Sequence, residues 1–167
     1  MAKRIDENTI NGLLENIEEK YDSVHIFYPP SQYLFQNRFL PFRPVLSDES
    51  SELGISLIDI ETYQITHLYT PAEGKVVIGI DVNEKGLILL SLASEEPDTP
   101  ECIIIDSEDP QSLIKLDCED IWYQGYGSTL KWSSFPDKLL VINDFGGEDT
   151  LVKLDLLNNQ VLDIRSI

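Results

Sequence analysis

The sequence predicts a mostly-β fold in which one N-terminal helix precedes antiparallel repeats of four short strands. Helical spacing of apolar residues is confined to the N-terminal segment. From residue 24 onward, short runs rich in Ile, Leu and Val alternate with turn residues, and this pattern repeats along the chain. Hydrophobic residues make up 42% of the 167 residues and charged residues 25%, which is typical of one globular domain spanning 1–167.

The helix is predicted over residues 5–20. Its acidic residues lie away from its apolar side, as expected for a helix that packs on a core. Gly12 weakens the helix by about 1 kcal/mol relative to Ala, without interrupting the spacing. The broad apolar face consists of Ile5, Ile10, Leu13, Leu14 and Ile17.

Short strand-like runs follow the helix, each bounded by Pro, Gly, Asn or Asp. The connections between them are too short for helical crossovers, so neighbouring strands are expected to pair antiparallel. The predicted strands are 24–28, 33–35, 54–60, 64–69, 75–82, 87–92, 102–106, 112–116, 128–132, 139–143, 151–156 and 161–165.

An internal repeat connects these runs. Residues 54–68 and 150–164 agree in apolar pattern throughout and have a turn at the same place. A shorter copy lies between them, so that Asp59, Asp106 and Asp155 are spaced 47 and 49 residues apart. Each of these aspartates ends or nearly ends a strand and precedes a turn, where Asp side chains accept hydrogen bonds from nearby backbone amides. We therefore expect a structural role for them.

A second repeated element, 77–90 and 129–142, reads as strand, tight turn and strand. A period of about 40–50 residues with four short strands resembles a β-propeller blade. By this resemblance, 75–116 and 128–165 are two full blade-like units, and 24–69 is a first, irregular one, with its third and fourth strands in 54–69 and its first two expected within 24–46. Three blades cannot close a ring, so the expectation is a partial propeller or a curved sheet or sandwich. A plain hairpin meander with coincidental spacing is the alternative.

Charge is the unusual property of the composition. Thirty Asp and Glu residues against twelve Lys and Arg leave a formal net charge of −18, with a sequence pI near 4.2. Such a field repels phosphate backbones and anionic lipids, so neither nucleic acid nor a membrane surface is an expected partner. It attracts basic proteins. The alternative is that the acidic residues only maintain solubility or reflect a salt-adapted proteome.

The sequence predicts a cytoplasmic protein. Residues 1–20 lack the apolar core of a secretory signal, and no apolar run approaches the ~18 residues of a membrane span. Cys102 and Cys118 are too few to staple a secreted domain, and each lies beside a hydrophobic run. Both cysteines are therefore expected to be reduced and partly buried.

Motifs for catalysis do not emerge from the sequence. His25 and His67 have no Cys or carboxylate at metal-ligand spacing, and the glycines lack the strand-to-helix context of a phosphate-binding loop. Residues 144–149 lack the alternating oxygen ligands of a calcium loop. We expect no enzymatic activity, no cofactor and no metal.

The surface loops give the predicted binding site. In a four-strand antiparallel unit, the connections after the second and fourth strands emerge on one face, and that face collects most of the acidic residues. Between the second and third units, the connection 117–127 combines Trp122, Tyr123 and Tyr126 with carboxylates, as in an interface hot spot. Packing of these rings in the core is the alternative. The predicted partner-binding residues are Asp117, Glu119, Asp120, Trp122, Tyr123, Tyr126, Glu95, Glu96, Asp98, Asp144, Glu148 and Asp149.

In size, acidity and β-rich architecture, the chain resembles the immunity proteins of bacterial contact-dependent inhibition and related polymorphic toxin systems. The resemblance implies one-to-one binding of a cognate basic toxin, with a nuclease domain as the expected target and the acidic face over its active site. The alternative function is a β-propeller-like scaffold or assembly module that acts through homodimerisation.

Overall fold

The computed structural model describes residues 3–18, 23–25, 33–45, 54–94, 101–106, 108–116, 128–133, 137–143, 150–158 and 160–166. They form one helix, α1 (Glu7–Glu18), and the strands β1 (Ser23–His25), β2 (Phe39–Val45), β3 (Ile55–Asp59), β4 (Ile65–Tyr69), β5 (Lys75–Val82), β6 (Ile88–Ser94), β7 (Glu101–Ile105), β8 (Leu113–Leu116), β9 (Ser128–Trp132), β10 (Lys138–Asn143), β11 (Thr150–Asp155) and β12 (Gln160–Ser166).

The predicted N-terminal helix is confirmed, with a start fixed by a side-chain cap. The Thr9 N–H donates to Asp6 Oδ1 at 2.9 Å, and the Thr9 hydroxyl donates to Asp6 Oδ2 at 3.0 Å. A capping carboxylate satisfies a backbone donor that the first helical turn leaves free. These bonds lower the pKa of Asp6 below its usual value.

The strands form three four-stranded antiparallel sheets, in which neighbours in the chain are neighbours in the sheet. The first sheet holds β1–β4, the second β5–β8 and the third β9–β12. They correspond to the predicted units 24–69, 75–116 and 128–165. The mostly-β fold of antiparallel four-strand units is thereby confirmed.

The predicted strand 33–35 is wrong, and β2 was not among the predicted strand runs, although a second strand of this unit was expected within 24–46. Residues 33–35 make isolated bridges, Arg4 with Tyr33 and Phe35 with Phe39, while the regular strand at this point is β2. Pro41 and Pro44 lie within β2, opposite Leu57 and Val24. Proline cannot donate to a sheet ladder, so two prolines in seven residues argued against a strand here.

The three sheets stack face to face through two hydrophobic clusters. Ile88 and Leu90 of β6 belong to the cluster shared with the first sheet, and Leu89 belongs to the one shared with the third. This alternation follows from the two-residue period of a strand. The second sheet is therefore buried on both faces, which explains the unbroken apolar run at Ile103–Ile105.

Helix α1 covers the outer face of the first sheet. Leu13 and Ile17 pack there against Leu40, Phe42 and Ile58. The three side chains from the sheet and the two from the helix are each at most 1% exposed. The order of layers is thus helix, first sheet, second sheet and third sheet.

Two side chains link the sheets to one another through backbone groups. Arg43 Nη1 of β2 donates to the carbonyl of Val77 in β5 at 2.7 Å. Asp81 Oδ2 of β5 accepts from the Trp132 N–H of β9 at 2.8 Å. β5 and β9 are edge strands of their sheets, so each link satisfies a backbone group on a strand edge.

These links also align the ends of the sheets. Arg43 and Val77 lie near the strand ends that lead to the β2–β3 and β4–β5 connections, whereas Asp81 and Trp132 lie beside the β5–β6 and β9–β10 turns. We call the end with the connections β2–β3, β4–β5, β6–β7, β8–β9 and β10–β11 the loop end. The opposite end, with the connections β1–β2, β3–β4, β5–β6, β7–β8, β9–β10 and β11–β12, is the turn end.

Candidate functional site

The connections of the loop end carry acid without base. They comprise 46–53, 70–74, 95–100, 117–127 and 144–149, and they contain 13 acidic residues and no Lys or Arg. The acidic residues are Asp48, Glu49, Glu52, Glu73, Glu95, Glu96, Asp98, Asp117, Glu119, Asp120, Asp144, Glu148 and Asp149.

The connections of the turn end are much closer to neutral. They contain six acidic residues, Glu61, Glu84, Asp106, Glu108, Asp109 and Asp137, together with the basic residues Arg38 and Lys85. The formal charge is therefore −13 in the connections of one end and −4 in those of the other. The strand order assigns every connection to its end, so the charge separation follows from the topology.

The predicted partner-binding residues all lie outside the described residues. They are Asp117, Glu119, Asp120, Trp122, Tyr123, Tyr126, Glu95, Glu96, Asp98, Asp144, Glu148 and Asp149. The strand ends from which their connections depart are described, at Ser94 and Glu101, Leu116 and Ser128, and Asn143 and Thr150. Which of these twelve side chains share a surface therefore stays a prediction.

An ion pair joins two strands of the second sheet at the base of the loop end. Lys75 Nζ of β5 lies 2.5 Å from Glu101 Oε1 of β7, across the intervening strand β6. Burial, and then the negative charge of Glu101, raises the pKa of the neighbouring Tyr69. Because the positive charge of Lys75 is paired with the carboxylate of Glu101, it does little to offset the negative charge of the acidic connections.

A close backbone approach fixes the start of β3 at the same end. A Cβ atom on Gly54 would lie 1.6 Å from the carbonyl oxygen of Tyr69, so only glycine fits there. The next connection, residues 70–74, begins directly after this contact. Its first residue, Thr70, shares a 2.8 Å hydrogen bond with His67 Nε2, which places His67 on the surface of β4 as predicted.

The three repeated aspartates have the predicted structural role. Asp59 Oδ1 accepts from the Glu61 N–H at 2.9 Å, Asp106 Oδ1 from the N–H two residues on at 2.8 Å, and Asp155 Oδ1 from the Leu157 N–H at 3.1 Å. Each closes the turn between the third and fourth strands of its sheet. They lie at the turn end, one in each sheet, and so do not form a carboxylate cluster.

Arg38 adds a further partner at Asp59. Its Nη2 lies 2.5 Å from Asp59 Oδ2, and this bond, with the backbone donors, holds the pKa of Asp59 well below its usual value. The pKa of Asp155 is lowered by hydrogen bonds from Asn158 and Leu157. Within the described part of the chain, no group of three or more His, Cys, Asp or Glu residues is arranged to hold a metal ion.

The expectation that the cysteines are reduced is wrong for Cys102. Cys102 is fully buried in β7 and is disulfide-bonded. The only other cysteine in the sequence, Cys118, lies outside the described residues. The sequence did not reveal the disulfide at Cys102, because the apolar run beside this residue fits a buried thiol equally well.

Sequence reasoning also missed the residues that align the loop end. Asp81 lies within a predicted strand and Arg43 lies outside every predicted strand; neither was singled out, yet both are partly buried. Burial lowers the pKa of Arg43 and raises that of Asp81. A charged residue within an otherwise apolar strand, as at Asp81, is the signal that could have identified them.

No protein-family model matches the chain, and no curated protein matches it at a significant level. In the part of the chain that is described, no helix is both long and apolar enough to cross a bilayer.

Proposed function

We propose that the chain is an immunity protein that binds and neutralises a basic toxin domain through the acidic connections of the loop end. The observation that carries this proposal is the separation of −13 from −4 between the connections of the two ends. An acidic surface needed only for solubility would have no reason to favour one end. A nuclease domain suits the proposal best, because its active site must attract phosphate and is therefore basic.

The stacked sheets support this role by holding the connections on rigid supports. Five connections depart from strands whose positions are fixed by the inter-sheet clusters and by the Arg43 and Asp81 links. The field of the acidic connections accelerates encounter with a basic partner, with association rates of up to about 10⁸–10⁹ M⁻¹s⁻¹ at low salt.

The predicted cytoplasmic location is not carried by the same observation. A disulfide at Cys102 favours an oxidising compartment, because cytosolic thiols are usually kept reduced. The binding proposal holds in either compartment, since it depends on charge and not on redox state.

Binding to the product of the neighbouring reading frame tests the proposal. The complex is measured by calorimetry at about 0.05 and 0.3 M salt, and nuclease activity of that product is assayed with and without the chain. We expect tight one-to-one binding that weakens with salt, and loss of nuclease activity in the complex.

Two matched charge-reversal variants separate the loop end from the turn end. The loop-end variant replaces Glu119, Asp120 and Asp149 with Lys, and the control variant replaces Glu84, Glu108 and Asp109 with Lys. Both raise the net charge by six. We expect at least about tenfold weaker binding for the first and about twofold or less for the second. Equal effects of the two variants would contradict the choice of the loop end.

A further inference from the structure

The outer face of the third sheet is the sheet face that no other element covers in the described part of the chain. Helix α1 covers the outer face of the first sheet, and the two hydrophobic clusters fill the layers between the sheets. Leu130, Trp132 and Leu139 point inward from the third sheet, toward the second. Residues that alternate with them along β9 and β10 therefore point outward.

Three lysines lie close together on this outer face. Lys138 of β10 is directly opposite Lys153 of β11, and Lys131 of β9 is opposite Leu140, two residues along from Lys138. In antiparallel strands, Cβ atoms of opposite residues are about 4.5–5.5 Å apart, and diagonal neighbours are about 7–8 Å apart. Lys153 is exposed, and Lys131 and Lys138 are half-buried. The register thus makes one patch of the three lysines, which we call the lysine face.

The lysine face differs in sign from the rest of the molecule. The strands of the third sheet contain four basic residues against two acidic ones, whereas the charges balance in the strands of each of the other two sheets. The whole chain has a net charge of −18. The charged residues in the strands of the third sheet are Lys131, Lys138, Lys153, Arg165, Asp155 and Asp163.

The needs of folding and solubility do not account for this arrangement. Like charges directly opposite each other in a sheet are destabilising, as for Lys138 and Lys153. Within the described residues, neither Lys131 nor Lys153 forms an ion pair. A chain at −18 is also soluble without clustered lysines. A binding partner is the explanation that remains.

Charge complementarity selects an acidic segment of another protein as this partner. Carboxylates along a protein segment can each meet one of several amines about 5–8 Å apart. Leu151, two residues from Lys153 and half-buried, adds apolar surface beside the amines. Nucleic acid is disfavoured because its dense phosphate charge is repelled by a chain at −18, and a second copy is disfavoured by the same net charge.

We propose that the lysine face is a second binding surface, at which Lys131, Lys138 and Lys153 bind an acidic segment of a partner protein. This surface is a sheet face, whereas the acidic connections lie at the loop end. The proposal therefore does not depend on the proposed function. If both are correct, one chain binds a basic protein at the loop end and an acidic protein at the lysine face.

Fluorescence anisotropy with two labelled probes tests the proposal on the full chain. The first probe is a peptide of about twelve Glu residues, and the second is a single-stranded DNA oligonucleotide of equal charge. We expect the peptide to bind, and its affinity to fall by about tenfold or more between about 0.05 and 0.3 M salt. Absence of peptide binding overturns the proposal, as does an oligonucleotide that binds as tightly as the peptide.

Two matched variants locate the surface. Each replaces three lysines with Gln and lowers the net charge by three. The test variant replaces the three lysines of the lysine face, and the control replaces three exposed lysines elsewhere, Lys3, Lys85 and Lys115. We expect the dissociation constant of the peptide to rise by about tenfold or more in the test variant, and by about twofold or less in the control. Equal effects would refute the assigned surface.

Urea unfolding of Lys153→Gln separates a role in binding from a role in folding. Because Lys138 lies directly opposite and repels Lys153, the variant should unfold at the same or a higher urea concentration than the original chain. A lower midpoint would show that Lys153 serves the fold, and the argument for a partner would fail.

Discussion

Replacing Asp81 tests whether one carboxylate fixes the third sheet on the second. Asp81 Oδ2 accepts the Trp132 N–H at 2.8 Å, and Oδ1 accepts the Val82 N–H at 2.9 Å. Trp132 is 8% exposed and Val82 is 1% exposed, so neither donor has ready access to water as a substitute. In Asp81→Ala, the Trp132 N–H therefore loses the acceptor that joins it to the second sheet, and the bond from the Val82 N–H is lost as well.

The magnitude follows from two opposing effects. A buried donor without an acceptor costs about 1–3 kcal/mol, and this is the expected cost at the Trp132 N–H. Burial of the Asp81 carboxylate is unfavourable and raises its pKa. Because the Ala variant no longer buries this charge, part of the stability lost with the acceptor is regained. We expect Asp81→Ala to lower the free energy of unfolding by about 2 kcal/mol, and the exposed control Asp109→Ala by less than about 0.5 kcal/mol.

The pH dependence has a definite sign. The pKa of Asp81 in the folded chain is raised above its usual 3.8, first by burial and against the effect of its backbone donors and of Lys131. Protonation of Asp81 therefore stabilises the folded chain. This stabilisation is complete below about pH 3.8 and is lost as the pH rises through the pKa of Asp81 in the folded chain. Besides Lys131 on β9, Arg43 on β2 is the charged residue on the strands that pack against β5, and it is bonded to Val77.

Urea unfolding followed by tryptophan fluorescence measures both effects, from pH 3.5 to 7. The stability advantage of the original chain over Asp81→Asn should grow as pH falls, because only the original chain takes up the proton. An Asp81→Ala variant as stable as the Asp109→Ala control would refute the clamp. A stability gap that shrinks toward acid pH would refute the assigned pKa direction.

Three further predictions concern other contacts. Gly54→Ala should destabilise the chain by about 2 kcal/mol or more in urea unfolding, because its Cβ would lie 1.6 Å from the Tyr69 carbonyl oxygen; a change below about 0.5 kcal/mol would show that the backbones separate freely. Alkylation of the unreduced, denatured chain should find no free thiol, and thiols that react before reduction would contradict a bonded Cys102. Reduction of the disulfide should lower the free energy of unfolding by about 2–5 kcal/mol. Arg38→Gln should move acid unfolding to higher pH, because the lowered pKa of Asp59 gives stability above its usual 3.8 that is lost as pH falls; an unchanged acid midpoint would contradict a stabilising Arg38–Asp59 pair.

The sequence predicted the structure correctly where a local pattern of residues is enough to determine the local fold. The spacing of Asp59, Asp106 and Asp155 predicted three equivalent turns, because a strand followed by a tight turn needs a side-chain acceptor at that position. β2 escaped prediction because Pro41 is a poor strand residue, and its place in the sheet is decided by packing against α1 and the second sheet. Tertiary context overrides local propensity in such strands.

The candidate site was predictable only in part, for a physical reason. Strand order determines which end each connection occupies, so the charge separation could be derived from the sequence once the meanders were recognised. The contacts that align the ends could not be derived from the sequence, because Arg43 and Asp81 form hydrogen bonds with backbone groups of other sheets, 34 and 51 positions away. Such long-range links leave no periodic signal.

We propose that the two ends use their acidic residues differently. At the turn end, Asp59, Asp106 and Asp155 each accept backbone N–H groups, so turn geometry alone accounts for their presence. The connections of the loop end hold 13 acidic residues and no Lys or Arg, and we propose that these residues serve to attract a basic partner. If that is correct, replacing turn-end aspartates should affect folding first, whereas replacing loop-end acids should affect binding first.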